Sequence, residues 1–89
     1  MAAVNNAIMR SFEITNGAVF EPIIAESVRG TAEISCPPSN TDNVVFEGDD
    51  GSSVEWEPGE YHDFVNIDFS TIKVKGTNGD KVTIIGGSW

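Results

Sequence analysis

The chain has 89 residues, of which 39% are hydrophobic and 9 are glycine, enough for one small domain rich in turns. Its 14 acidic and 5 basic side chains give a net charge of −9. This balance argues against binding to nucleic acid or to anionic membranes, because both need clustered Lys and Arg. The single cysteine excludes an internal disulfide, and no stretch approaches the ~20 apolar residues that cross a bilayer. The first residues lack the pattern of a signal peptide, so we expect folding in a reducing cytoplasm.

The N-terminal part of the chain predicts a short arm followed by edge strands. Residues 1–7 are small and polar and predict a flexible arm. Apolar and polar residues then alternate over 8–15, as they do on a half-buried strand. Arg10 on the apolar face is typical of an edge strand. Pro22 cannot donate to a ladder, so residues 20–24 should lie at a sheet edge or leave the sheet.

Two further strands flank a loop in the middle of the chain. Residues 28–36 alternate cleanly, and Cys36 falls on their inner face, which predicts a buried and inert thiol. The prolines and small polar residues of 37–43 predict a loop. Residues 44–46 follow as a short strand rich in β-branched and aromatic side chains. Residues 48–52 predict a tight turn.

The next strands are separated by a turn at Pro58-Gly59, where proline presets φ and glycine supplies a positive φ. Val54 and Trp56 share one face before this turn. After it, Val65 and Ile67 alternate with polar neighbours and predict another half-buried strand.

The clearest pattern lies near the C-terminus. Ile72 and Val74 alternate with lysines, and Val82 and Ile84 alternate with polar residues. Between the two runs, Asn78-Gly79 suits a tight hairpin connection because both residues tolerate a positive φ. The pattern therefore predicts a β-hairpin that turns at these two residues.

The apolar spacing of two and the recurrence of turns predict an all-β fold without substantial helix. We expect a small antiparallel β-sandwich or barrel, jelly-roll or immunoglobulin-like, of about 6–8 short strands. Residues 8–89 should form this single β-domain. The predicted core consists of Phe12, Ile14, Ile34, Val65, Ile67, Ile72, Val74, Val82 and Ile84.

No catalytic, cofactor-binding or metal-binding residues are predicted, so we expect no enzyme. His62 is the only histidine, and nucleophilic catalysis would need it paired with an accessible Ser or Cys. Several carboxylates could gather round a cation, but they lack the alternating Asp-x-Asp-x-Asp pattern of a calcium loop and favour solvated turns. They are Asp42, Glu47, Asp49, Asp50 and Asp63.

The two tryptophans, Trp56 and Trp89, are the candidate interface residues. Tryptophan is enriched at the energetic hot spots of protein–protein interfaces. Trp89 ends the chain after Gly-Gly-Ser, where it either anchors against a partner or folds back to close the end of the sandwich.

The C-terminal half carries a recognisable series of turns and strands. Its parts are Gly48-Asp49-Asp50-Gly51, Pro58-Gly59-Glu60, DFSTIKVKG from Asp68 to Gly76, Gly79-Asp80 with Val82, and Ile84-Ile85-Gly86-Gly87. This half resembles small, acidic, all-β virion structural proteins of tailed bacteriophages, in which the runs D-L-S-x-I-x-V-K-G and G-D-x-V-x-V-x-G-G recur. Here Phe69 stands where Leu is usual, and Thr71 precedes the isoleucine.

The resemblance implies a non-enzymatic capsid cement (decoration) protein. Such a protein is made in the host cytoplasm and sits on the capsid exterior as a homotrimer bound to the major capsid protein. Two alternatives stay open. A tail- or fibre-associated β-module that binds host glycan should group Trp56, Tyr61 or Trp89 on one exposed face beside carboxylates. A cytoplasmic protein-interaction module should be a stable monomer.

Overall fold

The computed structural model describes residues 6–88, which form two four-stranded antiparallel sheets packed as a sandwich. Sheet A contains, in spatial order, β1 (Asn6–Glu13), β8 (Lys81–Ser88), β3 (Arg29–Ser35) and β6 (Tyr61–Asp68). Sheet B contains β2 (Glu21–Pro22), β7 (Lys73–Lys75), β4 (Val44–Glu47) and β5 (Ser53–Trp56). One short 3₁₀ helix, Phe69–Thr71, follows β6. The predicted all-β sandwich is confirmed, and the sheets do not close into a barrel. Over the described range, no helix is long and apolar enough to span a membrane.

Two predicted edge strands are confirmed, and the first strand begins two residues earlier than the sequence predicts. Arg10 lies in β1, an edge strand of sheet A, and Pro22 lies in β2, an edge strand of sheet B. Strand β1 begins at Asn6, which pairs with Ser88. Residues 6 and 7, which the sequence assigns to the arm, therefore belong to sheet A. The rest of the predicted arm, residues 1–5, lies outside the described residues.

The predicted C-terminal hairpin is wrong, although both of its strands exist. Strand β7 pairs with β2 and β4 in sheet B, whereas β8 pairs with β1 and β3 in sheet A. The tight hairpin turn needs a positive φ at both central residues, but of Asn78 and Gly79 only Gly79 has one, at 93°. The turn instead joins the end of β1, because Gly79 N–H donates to the carbonyl of Ile14 and Ile14 N–H donates to that of Asp80. The link from β7 to β8 therefore crosses between the sheets.

A β-bulge in β6 makes the prediction of a buried Val65 wrong. Ile67 pairs with Gly30 and Phe64 pairs with Ala32, so two residues of β6 face one residue of β3. The extra residue is accommodated at Asn66, whose φ of 53° lies in the left-handed region that asparagine tolerates. The bulge shifts the alternation by one residue. Phe64 and Ile67 consequently pack against the core, and Val65 is 74% exposed.

The core fills the space between the sheets, and most of the other core predictions hold. Ile14, Ile34, Val74, Val82 and Ile84 are buried, and Phe12, Ile67 and Ile72 are partly buried against them. Several buried residues were not in the predicted core. They are Ile8, Ile23, Ile24, Ala32, Val44, Phe46, Trp56 and Phe69. Cys36 is buried at the end of β3, as its position on the inner face predicts.

We expect the Cys36 thiol to be unreactive in the folded protein. Burial is the main cause that raises its pKa to about 11, and the nearby Glu60 and Asp80 carboxylates add to the shift. Because the thiolate is the nucleophile, a disulfide reagent near pH 8 should modify the native protein far more slowly than the protein in concentrated urea. Equal rates in the two conditions would contradict the buried placement.

Candidate functional site

Trp56, a predicted interface residue, lies at the centre of an aromatic cluster and not on an exposed face. Its side chain is 5% exposed. The indole stacks on Phe46 with ring centroids 3.8 Å apart, and it lies parallel to Phe64 at 6.3 Å. The His62 ring packs edge-to-face with it, with ring centroids 4.7 Å apart. Trp56 therefore lies beneath the protein surface and is not itself exposed for contact with a partner. The other predicted interface residue, Trp89, lies outside the described residues.

An apolar groove opens above this cluster. Strands β5 and β6 are edge strands of different sheets, joined by residues 57–60, and the two sheet edges leave a gap between them. The gap has a volume of about 270 Å³. Val54 on its rim is 60% exposed, which is unusual for a valine within a strand that borders the core. The groove is lined by Phe46, Glu47, Gly48, Ser52, Val54, Trp56, Phe64 and Ile72.

The groove lies in a strongly acidic part of the sequence. Residues 47–63, which supply most of its lining, contain 7 of the 14 acidic residues of the chain and none of its 5 lysines and arginines. They are Glu47, Asp49, Asp50, Glu55, Glu57, Glu60 and Asp63. His62 bonds to Glu60 at 2.7 Å, and this contact is the main cause that lowers the pKa of that carboxyl. The groove thus combines an apolar floor with an acidic rim segment, of which Glu47 lines the groove and faces Lys73 across β4 and β7, while Asp63 points to the outer face of sheet A.

A second exposed apolar surface lies on the outer face of sheet A. Met9 of β1 and Ile85 of β8 are direct cross-strand neighbours, 77% and 58% exposed. We call this pair the sheet A patch. The same row continues through Glu33 to Asp63, which face each other across β3 and β6. Two opposed acids are an unfavourable cross-strand pair, so a cationic side chain of a partner would be stabilised there.

Hydrogen bonds to Asp80 link the loop between β3 and β4 to the start of β8. Its side chain, 4% exposed, accepts hydrogen bonds from the N–H groups of Thr41 and Asp42 and from the Thr41 hydroxyl, at 2.9–3.2 Å. Burial alone would raise the pKa of Asp80, but these donors outweigh it and the pKa lies below its usual value. Asn40 completes the attachment by bonding both the N–H and the carbonyl of Lys81. These bonds account for Asp80 as a structural carboxylate.

Asp68 is a second structural carboxylate, and its hydrogen bonds predict that the protein loses stability in acid. Hydrogen bonds from the Ser27 hydroxyl and from the hydroxyl and N–H of Ser70 lower the pKa of Asp68 from 3.8 to about 2. Because the folded-state pKa is depressed, the carboxylate stabilises the fold above about pH 4, and this contribution is lost as the pH falls toward 2. Asp68→Asn should therefore weaken the protein in urea at neutral pH and much less near pH 2.

Asp49→Asn is the matched control for that experiment. Asp49 lies in the turn between β4 and β5 and is exposed, and within residues 6–88 its side chain makes no hydrogen bond or ion pair. Urea midpoints of both variants, measured across the acid range, separate a specific effect from the loss of one negative charge. Identical curves would show that the bonds to Asp68 do not stabilise the fold.

The candidate cation ligands do not form a cluster. Asp49 and Asp50 lie in the turn between β4 and β5, while Asp63 lies on β6 and Asp42 beside Asp80. Within the described part of the chain, no three His, Cys, Asp or Glu side chains are placed to hold a metal ion. The Asp50 carboxylate is instead occupied by the N–H of Ser52, which lowers its pKa.

No family model, curated protein or solved structure matches the chain. The geometry of its surfaces is therefore the structural evidence that bears on function. Sequence reasoning missed the groove, because its lining residues come from strands of different sheets. One local signal did exist: Phe64 is a large aromatic residue at the position that strict alternation assigns to solvent.

Proposed function

We propose that this chain is a non-enzymatic structural protein that acts by binding other proteins, and specifically a capsid cement protein of a tailed bacteriophage. In this role it sits on the capsid exterior as a homotrimer and binds subunits of the major capsid protein. Its place of synthesis is the host cytoplasm. The proposal rests on the resemblance of the C-terminal half to virion structural proteins.

The structural observation that supports it is the sheet A patch. Met9 and Ile85 expose two large apolar side chains side by side on an open sheet face. Adjacent exposed apolar side chains can supply the apolar part of a protein–protein contact. A small domain without disulfides also gains stability from docking, because binding selects the folded state.

The glycan-binding alternative receives less support from the described residues. Glycan recognition would stack a sugar on exposed aromatic rings, but Trp56 is 5% exposed and is enclosed by other rings. Tyr61 is 61% exposed beside Asp63 on the outer face of β6, which supplies a carboxylate but no second aromatic ring.

The test compares intact particles with particles that lack the protein. We expect mass spectrometry to find the chain in purified virions and depleted particles to assemble but release their DNA at a lower temperature. Light scattering should give the mass of a trimer. A monomer at tens of micromolar, together with depleted particles that resist heat as well as intact ones, would refute the proposal.

A pair of variants tests the docking surface. Ile85→Lys should abolish addition of the purified protein to depleted particles, because it places a charge in the sheet A patch. Val19→Lys is the control, since Val19 is 47% exposed and lies outside both sheets. If both variants bind to depleted particles equally well, the sheet A patch is not the docking surface.

A further inference from the structure

We propose that the groove between β5 and β6 binds an extended peptide segment in which an apolar side chain is flanked by lysine or arginine. The inference goes beyond the virion proposal and does not depend on it. It uses the apolar floor of the groove, its acidic rim and the two open strand edges beside it.

The floor selects an apolar side chain. The groove has a volume of about 270 Å³, which exceeds the ~150 Å³ apolar cavity that accepts a benzene ring. Its floor is formed by Phe46, Trp56, Phe64 and Ile72, of which the first two are almost fully buried. Val54 at the rim is left 60% exposed, so a ligand side chain would remove apolar surface from water on both partners.

The rim selects a cation. Seven acidic residues and no lysine or arginine lie in residues 47–63. An anionic segment would be repelled by this field, whereas a segment with Lys or Arg beside its apolar residue would be attracted and held in register. A second copy of the chain carries the same net charge of −9 and is a poorer match.

The strand edges select an extended segment. Among residues 6–88, β5 pairs only with β4, and β6 pairs only with β3. The outer edges of both strands therefore have backbone groups to which an added strand can bond, while its alternate side chains enter the groove. The bulge at Asn66 interrupts β6, so the regular part of that edge is residues 61–64, directly beside the groove.

The experiment measures peptide binding through the fluorescence of Trp56 in the full chain carrying Trp89→Phe. The probes are nonapeptides with Leu, Ile, Val, Phe or Met at the centre and Lys or Arg on both sides. Two matched sets replace the central residue by Ser or the flanking residues by Glu. We expect saturable binding by members of the first set, at least about tenfold weaker binding by both matched sets, and a loss of affinity as salt rises.

Two pairs of protein variants locate the site. Val54→Arg should weaken binding at least about tenfold by placing a cation at the groove mouth, and Val19→Arg, at a distant exposed valine, should leave it unchanged. The double variant Glu47→Gln/Asp49→Asn should weaken binding about threefold or more, and Glu13→Gln/Glu33→Gln on sheet A should not. Circular dichroism of each variant confirms that it is folded.

Several outcomes would overturn the proposal. One is that no peptide of the first set binds, and another is that Glu-flanked peptides bind as well as Lys-flanked ones. A third is that Val54→Arg and Val19→Arg behave alike. Dimerisation that Val54→Arg abolishes would show that a second copy, and not a basic segment, occupies the groove.

Discussion

Phe69→Ala is expected to lower the free energy of unfolding by about 3–5 kcal/mol, a large share of the ~5–15 kcal/mol that stabilises a typical domain. Among residues 6–88, Phe69 is the largest side chain that is fully buried. The 3₁₀ helix turns its ring toward sheet A, where a Cβ at Gly30 would lie 3.2 Å from ring carbon Cε2. On the two central strands of sheet A, β3 and β8, the inner face beside it carries small residues: Gly30, Ala32, Gly86 and Ser88. These four small residues cannot fill the space that the ring would leave.

The measurement is thermal and urea unfolding, with Val65→Ala as the control. Both substitutions remove a residue that a strict strand alternation would bury. Val65 is 74% exposed, so its truncation should cost less than about 0.5 kcal/mol. The Phe69 variant should melt on the order of 12 °C or more below the parent chain. Equal losses for the two variants would contradict the register that the bulge at Asn66 imposes.

The fold class and the faces of most strands could be predicted, because they depend on local alternation. Ile14, Ile34 and Ile84 are buried where their positions in alternating runs place them. Arg10 and Pro22 likewise marked edge strands, since a charge on the apolar face and a missing N–H are tolerated only there. Each of these inferences needs only the residue and its immediate neighbours.

The pairing of strands could not be predicted in the same way. Val74 of β7 and Val82 of β8 are both buried. Their burial fits two arrangements equally well: adjacent strands of one sheet, or strands of two sheets that face each other across the core. The Asn78-Gly79 pair favoured the first arrangement. The structure has the second, because the link between β7 and β8 bonds to the end of β1 through Ile14.

The candidate site was the least predictable part, because it arises from tertiary structure. Trp56 was singled out for its residue type, and the structure buries it under the groove that it helps to form. The groove needs Val54 from sheet B and Phe64 from sheet A to lie at the same open edge. The bulge that brings Phe64 inward depends on a single left-handed residue, Asn66, which no periodicity reveals.

Gly86→Ala is expected to be at least as damaging as ordinary overpacking of a core, which costs about 1–3 kcal/mol. A Cβ at Gly86 would lie 2.1 Å from the carbonyl oxygen of Thr31 and 2.5 Å from Cα of Ala32, well below the 3.0 Å that real Cβ atoms keep. These are backbone atoms of β3, the strand that pairs with β8 in the middle of sheet A. Relief would require the two central strands to separate, which would disturb their ladder of hydrogen bonds and the core beneath it.

Gly48→Ala provides the matched control, because the same methyl group meets nothing within 4 Å there. Alanine restricts the unfolded chain more than glycine does, so this variant should be unchanged or more stable by about 0.4–1 kcal/mol. The two substitutions add the same methyl group, but only the one at Gly86 should lower the free energy of unfolding. Urea unfolding of both variants measures the difference. A Gly86→Ala protein as stable as the parent would show that β3 and β8 do not approach each other this closely.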